Sequence, residues 1–275
     1  MKIKRSTMAS LINEICGRSN SLLYNDEKGE LSFQEYALLS NWIKKLQKNM
    51  PLSYILGFSE FFSRKFWVNS DVLIPRNESE LLVEISVDEI KSISDRNNNK
   101  TLEILELGTG SGALIISIVL EIEKLNIKFN AHATDICSKA LSVARNNANW
   151  LNAKVAFSQG NWFNNPRLTK KKFDLIIANP PYVGSEHRAF LSKSDISYEP
   201  KLAFYGTKIS RNGLRDYEEI LSGLKCKTKK GSLLIFEHGA MQRRQIINLL
   251  IEKGFDNFYT YNDLAGLDRV VKVLL

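Results

Sequence analysis

Four residues that follow an apolar run are suited to holding a planar nitrogen atom while it is modified. The run at residues 173–178 has strand character and leads into Asn179, Pro180, Pro181 and Tyr182. Because proline lacks an N–H and fixes φ, the strand is expected to end at Asn179. In open α/β sheets, ligands bind beyond the carboxyl ends of the strands. We therefore expect an amide side chain, backbone carbonyls and a phenol ring in one pocket.

The chemistry that these residue types favour is transfer of a group to an amide or exocyclic amino nitrogen. Such a nitrogen is a poor nucleophile because its lone pair is delocalised. The side-chain carbonyl of Asn179 and the backbone carbonyl of Pro180 could accept hydrogen bonds from the N–H groups of this nitrogen, while Tyr182 packs on the face of the amide. Positioning of this kind raises rates tenfold for every ~1.36 kcal/mol. A purely structural turn would need neither the amide nor the ring.

A glycine-rich segment and an acidic residue predict a nucleoside site at the same edge. Gly108, Thr109, Gly110, Ser111 and Gly112 lie between a predicted strand and helix, where backbone and helix N–H groups can approach a ligand. The pattern also fits a dinucleotide-binding turn.

Two further residues extend this prediction. Asp135, at the end of the second strand, could accept hydrogen bonds from ribose hydroxyls, with Ser138 rather than Asp135 capping the next helix. Trp162, after the third strand, could pack on adenine, although a core position suits tryptophan nearly as well. An adenosyl cofactor and a dinucleotide both remain open at this point.

Alternating strands and helices position these residues. Strands are predicted at 101–107, 129–134, 154–158, 173–178, 232–236, 258–261 and 269–274, with helices at 113–125, 138–151, 212–225 and 241–253. This alternation predicts a mainly parallel, doubly wound α/β sheet of seven strands with right-handed crossovers.

The region before the sheet has a different character. Residues 1 to about 55 are predicted to be helical, with a capping box at Ser32 and Glu35. The aromatic-rich residues 52–75 predict a β-hairpin that bridges two domains. Asn77 with Glu80 predicts a cap for a helix that ends near residue 91.

Composition narrows the class of protein. A net charge of +8 and a pI of about 9.2 favour an acidic partner, either nucleic acid or protein. Three isolated cysteines and three histidines indicate neither a disulfide framework nor a metal site. With no long apolar stretch, we expect a cytoplasmic protein without a membrane span.

Motifs along most of the chain resemble those of the peptide chain release factor glutamine methyltransferases. The resemblance rests on residues 51–57, 72–76, 105–113, 160–163, 179–182, 199–200 and 263–271. Three places depart from the usual pattern. Asn77-Glu78-Ser79 stands where Pro-Asp-Thr is common, Asn161 stands where aspartate is common, and His238 replaces the aliphatic residue usually found before Gly239.

The resemblance implies a Rossmann-like methyltransferase sheet of seven strands, with a small helical N-terminal domain joined by the hairpin. Residues 1–75 would dock the substrate, and residues 76–275 would form the S-adenosylmethionine-dependent domain. The reaction would methylate the N5 amide of the glutamine in the Gly-Gly-Gln loop of release factors. The implied cofactor-binding residues are Gly108, Thr109, Gly110, Ser111, Gly112, Asp135, Trp162 and Asn179.

The substrate amide would be held by residues 179–182, with Asn179, Pro180 and Tyr182 in the catalytic roles. No metal is implied, and direct binding of nucleic acid is not required. Methylation of an exocyclic base amine in DNA or RNA is the alternative, because it uses the same planar-nitrogen chemistry. A nicotinamide oxidoreductase is a weaker alternative, since it leaves residues 179–182 without a role.

Overall fold

The computed structural model describes residues 4–16, 31–186 and 191–275. Its strands are β1 Phe58–Phe61, β2 Arg64–Trp67, β3 Leu102–Leu107, β4 Phe129–Asp135, β5 Val155–Gln159, β6 Phe173–Ala178, β7 Thr228–Glu237, β8 Phe258–Asn262 and β9 Asp268–Leu274. Its helices are α1 Arg5–Cys16, α2 Phe33–Gln47, α3 Leu52–Leu56, α4 Glu80–Arg96, α5 Ala113–Lys124, α6 Ser138–Trp150, α7 Lys193–Tyr198, α8 Lys201–Tyr205, α9 Arg215–Gly223 and α10 Arg243–Glu252.

The predicted seven-stranded sheet is confirmed. Its strand order is β5-β4-β3-β6-β7-β9-β8, with parallel pairing from β5 through β7 and antiparallel pairing of β9 with both β7 and β8. The chain moves from β3 outwards through β4 to β5 and then returns to place β6 on the other side of β3. This reversal creates a crevice beyond the carboxyl ends of β3 and β6, which is where doubly wound sheets bind ligands.

Burial on both faces explains the apolar composition of the central strands. Five of the six residues of β3 and of β6 are buried, as expected for parallel strands that are covered by helices on each side. One apolar cluster packs α4, α5 and α6 against the sheet, and a second packs α9 and α10 against the opposite face. The two layers bury both faces of the central strands that end at the crevice.

The N-terminal helices form a separate apolar cluster that includes Leu11, Leu39, Leu46 and Ile55. The capping box is confirmed, since Ser32 N donates to Glu35 Oε2 at 2.7 Å and Glu35 N donates to Ser32 Oγ at 3.3 Å. The part of the helical prediction that covers residues 17–30 lies outside the described residues.

The predicted hairpin is confirmed as the antiparallel pair β1–β2. Its Phe61 and Phe66 rings meet edge to face, with centroids 6.1 Å apart, and both are buried in the cluster that contains α4 and α5. The hairpin is therefore packed onto the sheet-bearing region.

Two predicted helix caps are wrong. Residues Asn77–Ser79 form a 3-10 turn without a side-chain cap, and Glu80 instead accepts a hydrogen bond from Phe62 N at 2.8 Å, which joins the hairpin to α4. Helix α6 begins at Ser138 with Cys137 at the cap position and no side-chain cap. The Cys137 N–H donates to Asp135 Oδ1 at 2.8 Å, so it does not need a serine hydroxyl.

Within the described ranges, no helix is both long and apolar enough to cross a membrane.

Candidate active site

A cleft of about 240 Å³ lies at the carboxyl edge of the sheet. Residues that follow β3, β4, β5 and β6 line it, together with residues 70–73 and with Pro200, Leu202 and Ala203. Predicted site residues that line it are Gly108, Gly110, Asp135, Trp162, Asn179 and Pro181. The structure thus places Asn179 and Pro181 of the predicted amide pocket beside the glycine turn, whereas Pro180 and Tyr182 are not among the lining residues.

The glycine segment makes a tight turn after β3. Gly108 and Gly110 have φ values of 72° and 55°, a region that favours glycine. The Gly108 and Thr109 N–H groups both donate to Thr134 O at 2.9 Å, which ties the turn to β4. A Cβ added at Gly108 would lie 3.3 Å from the Trp162 ring, so the backbone of the turn passes close to that ring.

Two predicted cofactor-binding residues in this turn have buried side chains. The Thr109 hydroxyl donates to Glu106 Oε2 at 2.5 Å, and burial raises the pKa of Glu106 to about 8. Ser111 is also buried, and its carbonyl accepts from Asn147 Nδ2 at 2.8 Å. Thr109 and Ser111 therefore shape the turn, and neither lines the cleft.

Asp135 accepts hydrogen bonds from both the glycine turn and the segment that precedes α6. Its Oδ2 accepts from Gly110 N at 2.9 Å, and its Oδ1 accepts from Cys137 N at 2.8 Å. Burial raises the pKa of this carboxyl, which these backbone donors oppose. Each carboxylate oxygen can accept more than one hydrogen bond, so Asp135 can anchor the glycine turn and still accept from a ligand hydroxyl.

Trp162 is fixed by a neighbour that sequence reasoning missed. Its side chain hydrogen-bonds to Asp216, whose pKa is raised to about 6 by burial. Asp216 lies in the first turn of α9 and also lines the cleft. No local motif marks Asp216, because its place in the site comes from the packing of α9 beside the tip of β5.

The tetrapeptide leaves the sheet at the end of β6 as predicted. Asn179 is half-buried and lines the cleft, and Pro180 is buried. Asn179 Nδ2 donates to Glu237 Oε2 at 3.0 Å and to Ser79 Oγ at 3.2 Å. The nitrogen end of this amide is therefore held from behind by two residues that sequence reasoning missed.

Tyr182 is held by its backbone and by its surroundings. Its carbonyl accepts from Gln242 Nε2 at 2.9 Å, and the next residue, Val183, donates its N–H to Phe204 O at 3.0 Å. Burial raises the pKa of the Tyr182 phenol, so it stays protonated at neutral pH. The backbone of the segment after β6 is thus held by hydrogen bonds at Tyr182 and at Val183.

The doubly wound sheet and its nucleoside cleft define a methyltransferase domain. The family model described as "Methyltransferase domain" matches residues 98–262. A solved methyltransferase from Pyrococcus furiosus superposes with a TM-score of 0.51 at 15% identity, covering 86% of this chain and 98% of that one. That likeness supports the fold alone.

Curated relatives identify the family more closely. The release factor glutamine methyltransferase of Neisseria gonorrhoeae is 38% identical, over 80% of this chain and 75% of that protein. The one from Buchnera aphidicola is 35% identical, over 94% of this chain and 88% of that protein. This chain belongs to the release factor glutamine methyltransferase family.

Longer relatives also match. A bifunctional methyltransferase of Rickettsia bellii is 33% identical over 92% of this chain. The chain spans about half the length of this and the other Rickettsia proteins that it matches.

The methyltransferase match implies S-adenosylmethionine as the cofactor. The cleft fits such a group, because no heavy atom of the described residues lies within 4 Å of the place where a Cβ would stand at Gly110. Asp135 supplies an acceptor for hydroxyls, and the apolar Ile136 and Ala140 lie on the same wall. Backbone surface, an acceptor and an apolar wall are what an adenosyl group needs.

Proposed function

We propose that this protein transfers a methyl group from S-adenosylmethionine to the N5 amide nitrogen of a glutamine, in the Gly-Gly-Gln loop of peptide chain release factors. The observation that carries the proposal is the arrangement of Asn179 at the cleft, with its amide nitrogen tied to Glu237 and Ser79. Its carbonyl is then the end available to a substrate N–H. The names of the Neisseria and Buchnera relatives supply the substrate.

The residues at the cofactor end of the cleft bind and orient S-adenosylmethionine. Gly108 and Gly110 offer close backbone approach, Asp135 accepts from ribose hydroxyls, and Trp162 packs on the adenine. Thr109, Ser111 and Gly112 keep the turn in shape. S-adenosylmethionine supplies an electrophilic methyl group when bound.

The amide end of the cleft aligns the nucleophile. The Asn179 side-chain carbonyl and the Pro180 backbone carbonyl accept hydrogen bonds from the two N–H groups of the substrate amide. Tyr182 packs on the face of that amide. A side-chain base is not required before the C–N bond forms, since the nitrogen becomes acidic on alkylation and then releases its proton. Catalysis therefore rests on positioning.

The substrate is a protein, and the N-terminal region is suited to docking it. We assign docking to the N-terminal helices within residues 1–75 and methyl transfer to residues 76–275, with residues 70–73 contributing to the cleft. Release factors act in translation, so the protein is placed in the cytoplasm. Contact with nucleic acid is not required for the reaction.

Labelled S-adenosylmethionine tests the proposal directly. The purified protein is incubated with a release factor, and in parallel with the same factor carrying alanine in place of the Gly-Gly-Gln glutamine. We expect label in the first factor and none in the second. Equal labelling of the two factors would contradict the assignment. In a third incubation DNA or RNA is added, and label in the nucleic acid with none in protein would establish the base-amine alternative.

A further inference from the structure

Glu237 is a buried carboxyl directly behind the amide pocket. It ends β7, the strand beside β6, and only 1% of its surface is exposed. Its Oε2 accepts from Asn179 Nδ2 at 3.0 Å and from Ser79 Oγ at 2.5 Å. Residues from three separate elements therefore meet at one carboxylate oxygen.

The contacts fix which end of the Asn179 amide faces the cleft. Both neighbours of the nitrogen act as acceptors: Glu237 Oε2 directly, and Ser79 Oγ, whose own proton is given to Glu237. Rotating the amide by 180° would place its oxygen against the carboxylate, where neither group has a proton to share. Charge-assisted hydrogen bonds are roughly twice as strong as neutral ones, so an ionised Glu237 enforces one orientation.

We propose that Glu237, together with Ser79, is a positioning residue that makes the pocket present a hydrogen-bond acceptor to its substrate. An acceptor at this point selects a group that carries N–H bonds, such as a primary carboxamide, over a carboxylate of the same shape. The proposal deepens the proposed function and rests on it. Glu237 acts through Asn179 and does not touch the substrate.

The charges around Glu237 favour a titration near neutrality. Burial raises its pKa to about 7, whereas the hydrogen bonds from Ser79 and Asn179 and the charge of Arg269 lower it. The like charge of Glu78 raises the pKa of Glu237 further, and the phenol groups of Tyr182 and Tyr217 also face this carboxyl. Arg269 is itself paired with Asp263 at 3.0 Å. Glu237 is accordingly ionised above neutral pH, the state that holds the Asn179 amide.

A double-mutant cycle tests the role. Glu237→Gln introduces an NH2 group that competes for the contacts of Asn179, and Ser79→Ala removes one acceptor with little change in volume. Each variant is expected to lower kcat for a Gly-Gly-Gln peptide roughly ten- to hundredfold, because small misplacements of reacting groups carry costs of that order. The affinity for S-adenosylmethionine should change less than twofold.

Non-additivity is the decisive part of the cycle. If Glu237 acts through Asn179, then Glu237→Gln added to Asn179→Ala lowers kcat no further. If the decreases in kcat caused by Glu237→Gln and Asn179→Ala multiply in the double variant, the proposal is overturned. Wild-type kcat in both Glu237→Gln and Ser79→Ala would also overturn it. Glu89→Gln is the matched control, since Glu89 pairs with Lys272 away from the cleft, and it should retain wild-type kcat. Thermal unfolding of every variant identifies any that fails to fold.

A second readout is independent of the substrate. The side-chain NH2 resonance of Asn179, assigned by its loss in Asn179→Ala, is followed by NMR in asparagine-labelled protein between pH 5 and 9. We expect it to titrate with Glu237 in the wild type and to stay constant in Glu237→Gln. A resonance that does not titrate in the wild type would overturn the proposal. If it titrates while release factors gain no label, the proposed substrate fails and the positioning role stands.

Discussion

Arg76 and Glu199 form an ion pair across 123 positions of the chain, with 2.5 Å between Arg76 Nη2 and Glu199 Oε1. The second oxygen of Glu199 accepts from Ile74 N at 2.9 Å. The pair joins the segment that follows the hairpin to the segment between α7 and α8, and Leu73 and Pro200 of these segments line the cleft. Two motifs that are distant in sequence thus form one wall of the site.

Breaking this pair is predicted to destabilise the protein. Glu199→Gln leaves Arg76 without its main countercharge in a site where the Glu199 side chain is only 1% exposed. Loss of a charge-assisted hydrogen bond there should lower the free energy of unfolding by about 1.5–3 kcal/mol. Urea unfolding measures the change. Glu186→Gln, in an exposed pair with Arg211, should change it by less than about 0.5 kcal/mol, and equal effects would argue against a structural role for the buried pair.

The sequence predicts the parts of the site whose signals are contiguous. Residues 108–112 and 179–182 carry their glycines, prolines and amide within a few positions, and the strand pattern places both at one sheet edge. Glu237, Ser79 and Asp216 give no such signal, because they reach the site from β7, the turn before α4 and the start of α9. Their roles depend on tertiary packing, which periodicity does not encode.

The two wrong caps have different physical reasons. Local rules assign a Ser or Asn side chain to each helix start, but a nearby aspartate takes the place of the serine at α6, and a contact with the hairpin engages the glutamate at α4. Asp135 satisfies the Cys137 N–H from the end of β4, and Glu80 turns to Phe62 of the hairpin. In both places an acidic side chain holds a backbone N–H group that the local cap rules do not consider.

Asn179→Ala is predicted to remove most turnover while leaving cofactor binding largely intact. The substitution deletes the side-chain carbonyl that would accept from the substrate amide, whereas the glycine turn and Asp135 are untouched. We expect kcat to fall by about a hundredfold or more, measured with a Gly-Gly-Gln peptide, and the calorimetric Kd for S-adenosylmethionine to change by less than about threefold. An unchanged kcat would exclude the role given to this residue.

Asp135→Asn is predicted to weaken cofactor binding. The change removes the charge from the hydrogen bonds that we propose between Asp135 and the ribose hydroxyls. Each such bond contributes on the order of 1.5–3 kcal/mol, so Kd should rise roughly ten- to hundredfold. Isothermal titration calorimetry measures it. Asp256→Asn, at an exposed position before β8, is the matched control and should bind as the wild type does. A wild-type Kd for Asp135→Asn would show that Asp135 serves only the loop.

The pH dependence of kcat should report the ionisation of Glu237. Its pKa is raised to about 7, chiefly by burial, so the carboxylate that holds Asn179 predominates above that pH and is lost below it. We expect kcat to rise between pH 6 and 8 with an apparent pKa near 7, under saturating S-adenosylmethionine and peptide. Glu237→Gln should flatten this step, and a step that persists in the variant would assign the titration to another group.

Mass spectrometry of release factors from cells with and without this protein tests whether it methylates their glutamine. We expect a gain of one methyl group on the glutamine of the Gly-Gly-Gln tryptic peptide in cells that contain the protein. We expect no gain in cells that lack the protein or carry Asn179→Ala. Release factors that are methylated equally in all three strains, or methylated at another residue, would contradict it.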